Sequence, residues 1–420
     1  MYRINRKISL ISFIILFYVI TLAAYSNKYP LDSNYHRTKD IENSIKKWEI
    51  EYPNVFYSEI LGYTGKDKMP IRSFKISFDP KVKSFDKPSI LIIGQIHASE
   101  PLGVEICMRF ADYLLQNYQN NERVKSLLRS FSFHFIPTIN PEGFEVVSSG
   151  IYANHRKNKT DINSNNRFDR GIDGVDINRN FPLNWNNETQ KLPHDPHYAG
   201  ESPASEKETQ AIIDFMKRER FYLAINYHSS YFGDLNERIF FPWNWSGAKS
   251  PHWYEMKAIA SIISKNLKKD YSSANYLVHT GNTTKVGFLR DWSYAETGTF
   301  FFDIEVGGIY KNKSIIFPDN ANMHIIVDKN IKALINSFEY LDINTSIVKI
   351  IDSKGKPYIL SKVHYNTLKQ DIVKPLLSNE KGLLFIFWPP DRKQLNLYIN
   401  DRKYLIKKSK SKNIIIKLIN

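Results

Sequence analysis

A histidine and a carboxylate stand three residues apart in GQIHASEPLG, where His97 and Glu100 follow one apolar run and precede another. Across a strand-to-helix junction two such side chains can turn toward one point, and imidazole plus carboxylate suits Zn²⁺. A third donor, His228, closes the apolar run FYLAINYH. In open α/β sheets, ligands sit at the carboxyl ends of strands. His97, Glu100 and His228 therefore make a two-histidine, one-carboxylate set with a position left for water, as catalytic zinc requires. One Zn²⁺ per chain is expected. A fourth signal is Glu305 in FFFDIEVGG. A carboxylate that deep in an apolar strand is costly unless it is paired or functional. Burial would raise its pKa, which suits a general base. Asp303 lies two residues away on the same strand face, and periodicity does not choose between the two.

The elements that must hold these groups read as α/β. From about Tyr35 to Leu341, apolar runs alternate with amphipathic ones. Strands are expected at Ile71–Phe78, Ser89–Ile96, Phe131–Ile136, Phe221–Tyr227 and Phe300–Val306, rich enough in Ile, Phe, Leu and Val to be buried on both faces. Helices are expected at Pro101–Asn117, Ser205–Arg218, His252–Leu267 and Asn322–Tyr340. Together these imply a mixed central sheet flanked by helices. Between Ile151 and Gly200 the pattern gives way to Asn, Asp, Arg and Gly, a length of irregular chain that signals a functional loop. After Asn344 only short β-like runs remain: Ile347–Ile351, Leu383–Trp388, Leu395–Ile399 and Ile414–Ile419. A small all-β sandwich over residues 344–420 is expected, following a catalytic domain over 27–343.

Composition bounds the function classes. The 420 residues are 42% hydrophobic and 24% charged, which excludes a disordered tail, a fibre and a polytopic membrane protein. The single cysteine, Cys107, excludes an intrachain disulfide framework. Residues 1–26 read as a signal peptide or N-terminal anchor: Arg3, Arg6 and Lys7 precede an apolar run over residues 8–24, and Ala24 and Ser26 frame a cleavage point before Asn27. The body is then exported, periplasmic or secreted. Only about eight residues separate that point from Tyr35, so no propeptide is expected. The net charge of +15 is scattered, apart from Lys407, Lys408, Lys410 and Lys412, and lacks any nucleic-acid-binding motif. Anionic envelope polymers suit it better than nucleic acid. A monomer is expected.

Several motifs resemble the zinc carboxypeptidase A/B family of metallopeptidases, over roughly Tyr35 to Leu341. HASE resembles the family's zinc motif, and NYHSS resembles the segment with the third ligand. NPEGF and SEKETQAIIDF are further family-like stretches, and all of them occur in the family's order. The resemblance implies roles. Asn178 and Arg179, in GVDINRNF, would grip the substrate's terminal carboxylate, and Arg156, in HRKN, would polarise the scissile carbonyl. Asp176 would hold the second ring nitrogen of His97. DWSY followed eleven residues later by Glu305 reproduces the family's spacing to its glutamate base, and decides for Glu305 over Asp303. VKIIDSKGKPYILSKV resembles the opening of the transthyretin-like domain of regulatory-type carboxypeptidases.

Two positions depart from the family. Its substrate-capping tyrosine falls on Thr283, and the base of the pocket for the last side chain falls on Arg290. A bare guanidinium there would favour acidic C-terminal residues. The expected function is an exported zinc carboxypeptidase acting on peptides. A murein peptide hydrolase on the same fold, cutting γ-D-glutamyl or diaminopimelate bonds in muropeptides, is the nearer alternative. A non-catalytic peptide-binding or adhesion protein is the more distant one.

Overall fold

The computed structural model describes residues 31–418, except 32, 84, 186–191, 230–235, 246, 271, 282–285, 308, 311–312, 315–319, 360–361, 366–373, 375 and 401. The leader or anchor read at residues 1–26, including the apolar run over 8–24, and the tyrosine-equivalent Thr283 lie outside the described residues. No helix among the described residues is long and apolar enough to cross a membrane.

In chain order the elements are α1 (Thr38–Glu51), β1 (Phe56–Tyr63), β2 (Pro70–Ile76), β3 (Ser89–Ile93), α2 (Leu102–Asn117), α3 (Glu122–Ser130), β4 (Ser132–Ile136), α4 (Pro141–Ser148) and α5 (Lys207–Glu219). Next come β5 (Leu223–His228), β6 (Arg238–Phe241), β7 (Asn244–Trp245), β8 (Ala248–Lys249), α6 (Trp253–Asn266), β9 (Leu277–Thr280) and α7 (Leu289–Thr297). β10 (Phe300–Glu305), β11 (Ile309–Tyr310), β12 (Lys313–Ser314) and α8 (Asn320–Ile343) complete this part.

The main sheet is mixed and eight-stranded, in the order β1-β2-β4-β3-β5-β10-β6-β9. Its centre, β4-β3-β5-β10, is parallel throughout. Burial there follows the pleat, with successive side chains feeding opposite faces. Ile90, Ile92, Leu223, Ile225, Phe300 and Phe302 join one apolar cluster, with the buried faces of α2, α6 and α8. Leu91, Ile93, Ala224 and Phe301 join a second, with Ile212 and Phe215 of α5 and Trp292 of α7. A strand covered on both faces must read as a continuous apolar run, as these do. Helix α2 seats tightly on this centre: a Cβ on Gly103 would fall 1.9 Å from Gly94 O. That contact needs glycine, and it brings the chain before α2, with Glu100, to the strand ends.

Beyond α8 the described chain holds strands and no helix: β13 (Thr345–Ile351), β14 (Lys362–Tyr365), β15 (Leu376–Leu377), β16 (Leu383–Phe387), β17 (Gln394–Ile399), β18 (Arg402–Lys407) and β19 (Asn413–Lys417). They form two sheets, β16-β13-β19 and β15-β14-β17-β18. Val348, Ile350 and Ile386 of the first and Val363, Leu397 and Ile399 of the second are buried in one continuous apolar cluster. This unit touches the main sheet's lower end, where Tyr222 Oη lies 3.2 Å from Thr345 Oγ1 and Asn379 Nδ2 donates to Phe85 O at 2.7 Å.

Candidate metal and peptide-binding site

Three neighbouring parallel strands deliver the site at their carboxyl ends. β3 runs out toward His97, β5 ends on His228, and β10 ends on Glu305, which is in register with His228. His97 Nδ1 lies 3.0 Å from Glu100 Oε1, His228 Nδ1 lies 3.0 Å from Glu100 Oε2, and the two Nδ1 atoms are 3.2 Å apart. These are the only three His, Cys, Asp or Glu side chains among the described residues whose donor atoms converge in this way. All three are buried. Lone pairs from two imidazoles and a carboxylate turned on one point repel each other unless a proton or a cation lies between them. Tetrahedral zinc with Zn–N of about 2.0–2.1 Å places its ligands roughly 3.3 Å apart, so the set fits zinc.

The surrounding side chains orient these donors. Asp176 Oδ1 is 3.3 Å from His97 Nε2 and accepts from the Asn178 backbone N–H at 2.9 Å, while Oδ2 accepts from Arg156 Nε at 2.9 Å. Asp176 is fully buried, yet Arg156, Arg179 and His97 outweigh the burial and hold its carboxyl well below the usual range. A carboxylate on the second nitrogen fixes the ring's tautomer and leaves Nδ1 as the metal-facing atom. On His228, Nε2 lies 2.7 Å from the Asn226 side-chain amide and 3.6 Å from Asp303 Oδ1. Burial alone would lower the His228 pKa, but Asp303 and Glu100 raise it to about 10 while no cation is present. Asn226 was missed in the sequence, although its place two residues before His228 puts it on the same strand face.

Glu305 carries no fixed partner on Oε2, which is buried without a hydrogen bond among the described residues. Its pKa is pushed up to about 8, chiefly by burial, with Glu100 and Asp303 adding and His228 and Arg156 opposing. A divalent cation beside it would bring it back toward the ionised form.

The irregular stretch over residues 151–200 supplies the cations. Arg156 is bound to Asp176 and reaches to 3.6 Å of Glu100 Oε1 with Nη1, which sets a positive charge beside the metal donors. Arg179 and Asn178 lie on a single 3₁₀ turn, Ile177–Arg179, capped by the Asp176 side chain. Asn178 Oδ1 accepts from the Leu289 N–H at 3.0 Å, which leaves its amide NH₂ to donate. Arg179 stacks over Phe288 at 4.5 Å, and its buried Nε has no partner among the described residues. Burial, reinforced by Arg156 and Arg290, lowers its pKa to about 10, with Asp176 opposing. Its Nη1 donates to Asn178 O at 2.9 Å and lies 3.9 Å from Asp176 Oδ2.

Arg290 corrects the expectation of a bare pocket cation. It is buried, with Nε donating to Asp291 at 3.1 Å and Nη1 donating to Asp303 at 2.6 Å. Asp303, the rival base, is thus turned toward Arg290 and the back of His228. Glu296, the other nearby carboxylate, pairs instead with Lys374.

Residues 41–331 match the profile of the zinc carboxypeptidase family. The chain belongs to that family. Among curated relatives, it is 28% identical to rat (Rattus norvegicus) carboxypeptidase D over 297 residues, 66% of this chain and 19% of that protein. It is 27% identical to bovine (Bos taurus) carboxypeptidase O over 293 residues, 66% of this chain and 72% of that protein. The chain thus spans about a fifth of the length of the carboxypeptidase D sequences it matches. Among solved structures, thrombin-activatable fibrinolysis inhibitor superposes with a TM-score of 0.62 at 21% identity, covering 73% of this chain and 74% of that one. Carboxypeptidase A from Helicoverpa armigera gives 0.61 at 19% identity, covering 76% and 78%. Both share the mixed α/β fold.

Proposed function

We propose that this member of the family is an exported zinc-dependent carboxypeptidase that hydrolyses the C-terminal peptide bond of its substrates. The observation that carries the reading is Arg179. A partly buried guanidinium with an unpartnered Nε, next to a free amide on Asn178, is built to receive a carboxylate in bidentate geometry. It lies beside the same carboxylate, Asp176, that backs His97, so a chain end held there presents its last peptide bond to the metal set. Zinc held by His97, Glu100 and His228 supplies Lewis acidity toward the scissile carbonyl and eases ionisation of water.

The remaining steps belong to the chain's own residues. Glu305 takes a proton from the attacking water as the C–O bond forms, and Arg156 stabilises the oxyanion that develops. The C–N bond then breaks, and Glu305 returns the proton to the departing amine. The basic residues Arg3, Arg6 and Lys7 and the apolar run over residues 8–24 support the export part of this reading.

The reading extends to acidic C-terminal residues, in a weaker form than a bare Arg290 would give. Nη2 is the donor that neither aspartate takes up, and it lies 2.7 Å from where a Cβ would stand on Gly281. Arg179 and Arg290 flank the same Phe288 ring. A glutamate end is expected to be preferred over lysine by about 1 kcal/mol, roughly fivefold.

Product analysis by mass spectrometry on mixed peptides and muropeptides, with and without chelator, tests the function. Single C-terminal residues should be released, acidic ones fastest, and chelator should stop release. Cleavage confined to muropeptides would establish the cell-wall reading instead. Stoichiometric zinc retained by a His97→Ala, His228→Ala double variant would sink the metal assignment.

A further inference from the structure

The end of the sheet opposite the active site opens into a cavity of about 650 Å³ between the main sheet and the C-terminal β unit. Ser89, Phe221, Tyr222 and Phe300 line it, at or just before the amino ends of β3, β5 and β10. The carboxyl ends of those strands carry the metal set, and five to six residues at about 3.3 Å each put roughly 20 Å between the two places. Whatever occupies this cavity does not touch the reacting atoms.

Its walls are cationic and aromatic. Two of its cations are already matched: Arg218 by Glu59 and Glu219, and Lys374 by Glu296. That leaves Lys83, Lys87, Lys217, Arg220 and Lys362 without an ion pair among the described residues, opposed by Glu380 alone. Lys87 is the most deeply set of them, its Nζ reaching Leu128 O at 2.6 Å. Phe85 and Phe385 add apolar walls to those of Phe221 and Phe300. A second hollow, of about 110 Å³, shares Lys83 and Glu219 with the first and adds Lys75, Lys81 and His134, with Glu59, the partner of Arg218, also on its wall. His134 is 4% exposed, and its Nε2 has no partner among the described residues.

We propose that these linked hollows bind a linear anionic polymer, one that repeats carboxylate or phosphate groups along a sugar or polyol backbone. Two neighbouring hollows that share Lys83 and Glu219 suit an extended chain rather than a single small anion. Apolar walls between cations suit a backbone with apolar ring or methylene faces. Lys87, the partly buried member of the set, lies within the recess between the two folded units, where a chain can reach it. Bound in this way, the protein is held on a polyanionic matrix while the catalytic end of the sheet stays open.

The test is binding of the full-length protein to a galacturonate decamer and a glycerol-phosphate oligomer at 50 and 300 mM NaCl. Dextran and phosphatidylglycerol vesicles serve as comparisons. Either charged oligomer should bind, at least tenfold more weakly at the higher salt, and the better of the two identifies the source of the anion. A Lys217→Glu, Lys362→Glu variant should lose at least tenfold in affinity while hydrolysing a short peptide at the native rate. A Lys407→Glu, Lys410→Glu variant makes the same charge change outside the groove and should bind as the native protein does. Equal losses in both variants would reduce the effect to net charge and overturn the proposal. So would native-like binding by the groove variant, or binding to vesicles but to neither oligomer.

Discussion

Each side chain of the site is defined by what it lacks as much as by what it touches. Glu305 lacks a fixed partner on Oε2, and Arg179 lacks an acceptor at Nε. Changing Glu305 to Gln keeps the shape and removes the base, so turnover should fall roughly 100-fold or more while zinc content, measured by atomic emission, stays near one per chain. Near-normal turnover would move the base elsewhere. Arg179→Met should act differently: the guanidinium binds a group that does not react, so KM should rise with kcat little changed. Loss of a charged hydrogen-bonding pair predicts about 2 kcal/mol, near 30-fold in kcat/KM. Blocking the peptide's terminus as an amide should weaken the native enzyme about as much and the variant hardly at all. Residue types and spacing in the sequence were enough to gather His97, Glu100 and His228, because each closes or follows an apolar run. They were not enough to separate Glu305 from Asp303. A two-residue period puts both on one face; the family's spacing from DWSY chose Glu305, and the ion pair between Arg290 and Asp303 agrees, since it draws Asp303 away.

At the scale of elements, α7 and β10 act together through that ion pair. Arg290 on α7 ties Asp303 on β10 to Asp291 on its own helix, and Asp303 in turn stands behind His228. Arg290→Ile should therefore be a stability variant before it is a specificity variant. Two buried carboxylates would lose their cation, a change that typically costs about 3–5 kcal/mol. Thermal melts should show a large drop, and restoring part of it with Asp303→Asn in the same chain would confirm the cause. An unchanged melting temperature would mean that the pair is not formed in solution. α7 escaped the sequence reading for the same reason that it matters. Seven of its residues, from Leu289 to Ala295, are buried, including Arg290 and Asp291, so LRDWSYAET shows no polar stripe. β1 escaped because FYSEILGY, at the sheet edge, does not alternate cleanly between buried and exposed residues. β18, RKYLIK, has the lysine-rich pattern that guards an exposed edge, and so reads as surface loop. The central strands were legible because burial on both faces leaves only apolar residues.

Across the whole molecule, cations gather at the end of the sheet that carries no chemistry, and that arrangement has a thermodynamic signature. Burial pushes the Lys87 ammonium down to about 8, with Lys75 adding to the effect and Asp79 opposing it. In the unfolded chain a lysine titrates near 10.4. Between these values the unfolded chain holds more protons than the folded one, so stability rises with pH across that window. Below pH 8 the charged side chain is a standing penalty on the fold. Replacing it with methionine removes the penalty and keeps most of the apolar stem. The Lys87→Met variant should therefore gain most in melting temperature, relative to the native protein, at pH 7, and that advantage should shrink steadily toward pH 10. Lys157, lowered to about 8 chiefly by burial, titrates alike in both proteins and drops out of the difference. An advantage that stays constant with pH would show that Lys87 is not desolvated. A bound polyanion should stabilise the native protein at pH 7 more than the variant, because it returns a counter-charge to an ammonium that burial has stripped of water.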